Sequence, residues 1–300
     1  MVKTGYFFVL DGQRFEAQAI LLATSLRMQM GDDFPIIAYV PEASFDKITR
    51  ITRRMMTTLK IEIRAFSTEA GTWAEPYPHG NKILASTQPR DWDVSVFLDS
   101  DTVCLNPMDF SDCAEEQCLG VVPEGVPTWG RHDEDWVLPY SLFDLPLPTE
   151  RVNMERGRRI STLPYFNGGM VAFKEAADEN GQRLPDLWLD TALTLDHSPD
   201  LPNKRPWLDQ IALPIAMARL GGKMIIKPGG YNYSLYRRDA NADHPTINLA
   251  HYHMPAVFRK WAACRAVSDE AQERCPAKLR IHLRKRFGTY LKRDWQEAAE

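Results

Sequence analysis

The chain has 300 residues, 44% of them hydrophobic, and a formal charge of −4 at pH 7. That is enough apolar side chain for one large α/β domain or two small ones, and it excludes a disordered or fibrous protein. The charge is uneven: residues 274–293 hold eight Lys and Arg and no acid, which leaves −12 on the rest and argues against nucleic acid as a partner of the body.

Apolar runs such as Tyr6–Leu10 and Ile20–Leu22 fall far short of the ~18 residues that span a bilayer. The N-terminus lacks a basic region followed by an apolar one, so a cytoplasmic location is expected. Five cysteines (Cys104, Cys113, Cys118, Cys264, Cys275) make an odd set with no C-x-x-C pair, and free thiols are expected.

Strand and helix signals alternate through the first 100 residues. Tyr6–Leu10 is a buried-strand run bounded by Gly5 and Asp11-Gly12, and Ala17, Ile20, Leu21, Thr24 and Met28 then recur at helical spacing up to Gly31. Pro35–Val40 repeats the strand signal, Ser44 is placed to cap a helix running to about Met56, and Leu59–Phe66 alternates as a third strand. A short helix is expected over Asn81–Gln88 before Pro89, then a fourth buried strand at Val94–Leu98. This alternation predicts a mainly parallel twisted sheet flanked by helices, with ligands beyond the C-terminal ends of its strands.

From about 120 to 160 the chain turns Pro-, Trp- and Asp-rich, which predicts a functional loop or lid without regular elements. Further on, a strand is expected at Tyr165–Lys174, helices near Leu184–Leu195 and Leu208–Leu220, and strands at Lys223–Lys227 and Thr246–Ala250. Pro214 makes the middle of the second helix uncertain.

The most informative stretch is Val94 to Asp101, a buried strand ending in Asp99-Ser100-Asp101. In an extended chain residues i and i+2 point the same way, so Asp99 and Asp101 can offer oxygens to one hard cation, Mn²⁺ or Mg²⁺. Such a cation would bridge two phosphates and neutralise a departing nucleoside diphosphate. The bland alternative is a capping Asp beside a solvated one. A second strand ends in His251-Tyr252-His253; His251 suits a third ligand, and His253 can equally be structural or exposed.

These motifs carry a resemblance. Asp99-x-Asp101, Phe166-Asn167-Gly168-Gly169-Met170, Trp207-Leu208-Asp209-Gln210, Tyr231-Asn232-Tyr233 and His251-x-His253 followed by Lys260-Trp261 stand in the order seen in family 8 of the GT-A glycosyltransferases, the glycogenin and lipopolysaccharide galactosyltransferase group. The resemblance covers about residues 5–261. It implies the GT-A nucleotide-diphospho-sugar transferase fold over residues 1–262, with a basic helical extension over 263–300. It also implies a retaining transfer from a nucleotide sugar, a UDP-hexose by family habit, with Mn²⁺ or Mg²⁺ as cofactor. Asp99, Asp101 and His251 look like the metal ligands, with Ser100 between them at the donor. Lys82 is placed like a basic residue that contacts donor, and Leu10 and Asp11 would lie beside the base. Asn167, Gly168 and Gly169 would wall the sugar, glycine permitting close approach. Asp209 and Gln210 match the pair below the reactive carbon. Lys260 resembles a lysine that neutralises the diphosphate, but the family usually reads Lys-Pro-Trp, so Arg259 competes for that role.

Two other functions fit parts of the pattern. Asp99-Ser100-Asp101-Thr102-Val103 also suits a haloacid-dehalogenase-type phosphohydrolase, though there the motif generally ends the first strand and here three strands precede it. A nucleotide-sugar binding protein without turnover is the other. An inverting transferase would need a base, for which Asp209, Asp133, Glu134 or Asp135 could serve. The acceptor, a glycan or a lipid-linked or protein group, is expected at the 123–160 segment. In the basic tail Leu279, Leu283, Phe287 and Leu291 recur every fourth residue among cations, a stripe that suits either a peripheral contact with the inner face of a membrane or packing on the catalytic domain.

Overall fold

The computed structural model describes residues 2–69, 72–156 and 160–290, and the side chain of Arg286 lies outside this description. In chain order the strands and helices are β1 (Thr4–Val9), α1 (Glu16–Met30), β2 (Ile36–Pro41), α2 (Glu42–Phe45), α3 (Arg50–Thr58), β3 (Glu62–Phe66), α4 (Asn81–Thr87), β4 (Val94–Leu98) and β5 (Thr102–Cys104). There follow β6 (Cys118–Pro123), α5 (Glu134–Ser141), β7 (Val152–Asn153), β8 (Ser161–Thr162), β9 (Phe166–Lys174), α6 (Leu184–His197), α7 (Leu208–Leu220) and β10 (Lys223–Ile226). The last are β11 (Tyr233–Ser234), β12 (Leu249–His251), α8 (Pro255–Lys260), α9 (Ala262–Arg274) and α10 (Arg280–Phe287). Among the described residues no helix is long and apolar enough to cross a membrane. This is an α/β protein with a mostly parallel central sheet flanked by helices.

The chain divides into two compact units. The first comprises Met1–Gly5, Phe66–Phe97 and Asp109–Gly229. Its strands follow the order β10-β6-β9-β4, with β10 parallel and β9 antiparallel to β6. Helices α4, α6 and α7 pack together beside β9. Their seam is fixed by Glu175, a buried carboxylate at the end of β9 that takes Arg90 Nε at 2.5 Å, Arg183 Nη2 at 2.6 Å and the Ser95 hydroxyl. Arg90 also caps α4 by donating to the Ala85 and Ser86 carbonyls. Three cationic or hydroxyl donors converge on one acid, so no charge is buried alone. Pro214 is accommodated inside α7, which stops at Gly221 in the left-handed conformation (φ 67°).

The second unit comprises Tyr6–Ala65, Leu98–Met108 and Gly230–Glu300. Here β1 pairs with β2 in parallel, β3 follows β2, and a small sheet runs β11-β12-β5. Helix α1 is buried almost along its whole length, between β5 and α9 among others. Its Ser25 hydroxyl accepts the Cys104 N–H at 2.9 Å and so pins β5.

Two sequence expectations are corrected. The helix expected from Ser44 to Met56 is two helices: buried Glu16 accepts the Thr49 N–H (2.8 Å) and the Thr52 hydroxyl (2.6 Å), which holds the chain extended at Thr49 and starts α3 at Arg50. The 123–160 segment is not free of regular structure, because Trp136 and Tyr140, four apart, bury with Trp129 and Tyr165 and organise α5. In the tail, Leu283 and Phe287 are buried, lining a small apolar recess with Ala17, Ile20 and Ala271. The stripe is thus occupied by the fold, while Lys278, Arg284 and Lys285 stay exposed. Leu291, Lys292 and Arg293 lie outside the described residues. All five cysteines are free and buried.

Candidate functional site

Two clusters of chemically capable side chains stand out, one in each unit. In the second unit β4 ends at Leu98 and the chain turns instead of continuing extended: Thr102 donates both its N–H (3.2 Å) and its hydroxyl (2.7 Å) to the Asp99 carbonyl. The i, i+2 geometry expected for Asp99 and Asp101 therefore gives way to a tight turn. Beyond it, β5 pairs antiparallel with β12 so that Thr102 stands opposite His251, and the Tyr252 N–H donates to the Asp101 carbonyl at 3.1 Å. This register brings Asp101 to the end of β12.

The result is a group of three potential ligands, Asp101, His251 and His253, with one ligand atom from each lying within 4.8 Å of the others. Asp99, half-buried, is not a member of that group. His251 Nδ1 bonds the Asn232 side-chain oxygen at 3.1 Å, so Nδ1 carries the proton and Nε2 faces Asp101 Oδ1 at 3.2 Å. A neutral imidazole would thus set a lone pair against a carboxylate oxygen, an arrangement that needs a shared proton or a cation between them. Burial works to raise the Asp101 carboxyl, but the charge and hydrogen bond of His251, with His253 behind, outweigh it and bring the value down to about 2. One carboxylate and two imidazoles at this spacing fit a divalent cation.

In the first unit the centre is Asp209, 2% exposed in the first turn of α7. Its Oδ2 pairs with Lys82 Nζ at 3.1 Å and its Oδ1 accepts the Tyr77 hydroxyl at 2.9 Å, while the Tyr77 oxygen accepts the Asp209 N–H at 3.1 Å. Burial first, then the Asp209 charge, pushes the Tyr77 phenol far up, so it stays protonated as a donor. Lys82 also donates to the Gly168 carbonyl at 3.1 Å. A Cβ on Gly168 would stand 2.8 Å from Asp209 Oδ2 and 3.3 Å from Lys82 Nζ, so the glycine is needed by this ion pair.

Asn167 accepts the Gly169 N–H at 2.9 Å through Oδ1 and donates through Nδ2 to Glu124 at 2.9 Å. Turned to satisfy its neighbours, the Gln210 carboxamide donates its nitrogen towards Glu124 Oε2 (3.2 Å), the Phe166 carbonyl (3.1 Å) and the Tyr165 hydroxyl (3.2 Å). Asn167, Gly168, Asp209, Gln210 and Lys82 therefore do come together. Sequence reasoning passed over Tyr77 and Glu124: Tyr77 precedes a short 3₁₀ turn, and Glu124 directly follows an unrecognised strand, β6.

Leu10 is fully buried at the end of β1 and offers only backbone, its N–H donating to Tyr39; Asp11 follows, half-buried. Lys260 is exposed at the end of α8, whereas the Arg259 guanidinium donates to the Thr289 carbonyl at 2.5 Å. The first unit also holds an open cavity of about 590 Å³, lined by Trp129, Arg131, Glu134, Asp135, Asp200 and Asn203 among others.

Residues 6–221 match the family model described as the Rhodobacterales glycosyltransferase domain. No curated protein matches the chain. Among solved structures, the chain is similar to the galactosyltransferase LgtC in complex with donor and acceptor sugar analogs, at 14% identity and a TM-score of 0.54 over 92% of this chain and 99% of that one. It is also similar to mouse xyloside xylosyltransferase 1 in its apo form, at 13% identity and a TM-score of 0.53 over 83% and 97%. A third is the bifunctional glycosyltransferase WbbM, at 12% identity and a TM-score of 0.54 over 95% and 52%. At these identities the likeness is one of fold.

Proposed function

Because the chain belongs to the Rhodobacterales glycosyltransferase domain family and is a glycosyltransferase, we propose that it moves a hexose from a UDP-sugar to a glycan, lipid-linked or protein acceptor, with a divalent cation and with retention of configuration. The observation that supports the metal dependence is the Asp101–His251–His253 cluster, with one ligand atom from each within 4.8 Å of the others. Asp101 and His251 hold the cation, Mn²⁺ or Mg²⁺, and Asp99 and Ser100 act from the preceding turn. When bound, the cation supplies positive charge to the departing diphosphate. Lys260 adds an ammonium to the same phosphates; Arg259, engaged with the Thr289 carbonyl, is the weaker candidate.

Asp209 and Gln210 serve the donor sugar, with Asn167, Gly168 and Gly169 beside them. Lys82 acts by holding Asp209. Both Asp209 oxygens are already engaged, by Tyr77 and Lys82, which supports a fixed electrostatic role over that of an abstracting base and hence favours retention. Asp133, doubly bonded to Arg151, is equally ill placed as a base. The aromatic and polar cavity at Trp129, Arg131, Glu134 and Asp135 is where we place the acceptor. Free, buried cysteines suit a reducing compartment, the cytoplasm. Among the described residues, the exposed tail cations Lys278, Arg284 and Lys285 would draw the chain to anionic lipid, at about 1 kcal/mol each.

The test is a thermal-shift panel of nucleoside diphosphates with and without Mn²⁺, since a ligand that binds the native state raises its melting temperature. A metal-dependent rise with UDP, lost in Asp101→Asn, is expected. A panel without any metal-dependent rise would refute the reading.

A further inference from the structure

His253 belongs to the cluster but was not among the residues assigned to hold the cation, and its geometry is specific. Its backbone adopts φ 57°, a left-handed conformation that non-glycine residues rarely take and that clusters at ligand sites. The imidazole lies 3.8 Å from that of His251, with the ring planes 32° apart, and Tyr236 stands edge-on at 6.5 Å. Its Nε2 bonds the Ser234 hydroxyl at 2.8 Å. Asn232 and Ser234, alternate residues around the start of β11, thus each orient one of the two rings through one nitrogen. That is the outer-shell pattern that aims the other nitrogen of a histidine at a metal.

We propose that His253 is a protein ligand of the same cation as Asp101 and His251, through Nδ1, and that the resulting one-carboxylate, two-imidazole set makes the centre prefer Mn²⁺ and Co²⁺ over Mg²⁺. The inference rests on reading the cluster as a metal centre, and goes beyond it in assigning the third ligand and the selectivity. Imidazole nitrogen suits borderline cations, while Mg²⁺ demands an oxygen octahedron and gives up its water reluctantly. Replacing an expected second carboxylate by a second imidazole therefore costs Mg²⁺ more than it costs Co²⁺ or Mn²⁺.

The test is isothermal titration of the full chain with MnCl₂, CoCl₂ and MgCl₂ alone. His253→Gly removes the ring while suiting the left-handed backbone, and His253→Asn keeps that backbone and offers an oxygen. Wild type is expected to bind Co²⁺ and Mn²⁺ more tightly than Mg²⁺. Losing a ligand should cost at least what losing an outer-shell partner costs, so Co²⁺ affinity should fall on the order of 10- to 100-fold in both variants. Mg²⁺ affinity should change little, and the visible absorption of bound Co²⁺ should change with the loss of nitrogen. If His251→Ala abolishes binding but His253→Gly and His253→Asn keep the Co²⁺ to Mg²⁺ ratio of wild type, the assignment of His253 is wrong and the metal centre stands. If wild type binds none of the three cations, the metal reading fails and this inference falls with it.

Discussion

Replacing Lys82 by Met tests whether the first-unit cluster is held together by charge. The Lys82–Asp209 pair is 3.1 Å long and its side chains are 9% and 3% exposed, so water cannot take over from a missing partner. Methionine matches the stem of lysine and leaves no cavity, which isolates the electrostatic cost. Leaving one partner of a buried pair uncompensated typically costs about 3–5 kcal/mol. The Tyr77 hydroxyl, still bonded to Asp209 Oδ1, should keep the loss near the lower figure. Asp209→Asn strands the ammonium instead, with the Gly168 carbonyl still in reach, and should cost a similar amount. The double variant removes both charges together. It should therefore be more stable than the sum of the singles predicts by about 0.5–3 kcal/mol, the range of coupling between residues in direct contact. Urea midpoints from tryptophan fluorescence at neutral pH, with unchanged slope, give the cycle. Singles costing under about 0.5 kcal/mol, the usual size of a surface substitution, or strict additivity of the pair, would refute the reasoning.

Alkaline pH should destabilise the fold in a defined window. Burial pushes Cys104 and Cys264 up to about 12 from the ordinary 9.0, and burial, with the Asp101 charge second, takes Tyr290 to about 12. A raised folded-state value favours the neutral group, so this stability is whole below pH 9 and is lost as pH rises from there through 12; a urea midpoint that does not fall across that interval would contradict it. In the tail, Leu283→Ala should cost about 2–5 kcal/mol, whereas Ile281→Ala, at a side chain 75% exposed, should stay within about 0.5 kcal/mol. Equal effects of the two in thermal melts would show that the stripe does not pack as described.

Regular elements with uninterrupted apolar runs were legible in the sequence. Val94–Leu98 and Leu208–Leu220 fall where periodicity puts them, and Pro214 did not break the second because its helix is buried on most sides and terminated by Gly221. The elements that escaped are short or diluted. Thr102–Cys104 is three residues long and exists because β12 pairs with it, and α5 hides its Trp136 and Tyr140 among acids and a proline. The candidate site follows the same division. That Asp101 and His251 matter could be read locally, but their meeting depends on an antiparallel register between segments far apart in sequence.

The local rule that aligned Asp99 with Asp101 assumed an extended chain, whereas the Asp99 carbonyl closes a turn on Thr102. Gly168 shows the opposite case. The glycine was read as permitting close approach to a sugar, and what comes close in this structure is the Asp209 carboxylate with Lys82 behind it, two side chains whose sequence neighbours give no hint of the pairing. A glycine therefore tells that space is needed and not what fills it. Only the packing of α4 and α7 beside β9 decides that Lys82 holds Asp209 in place.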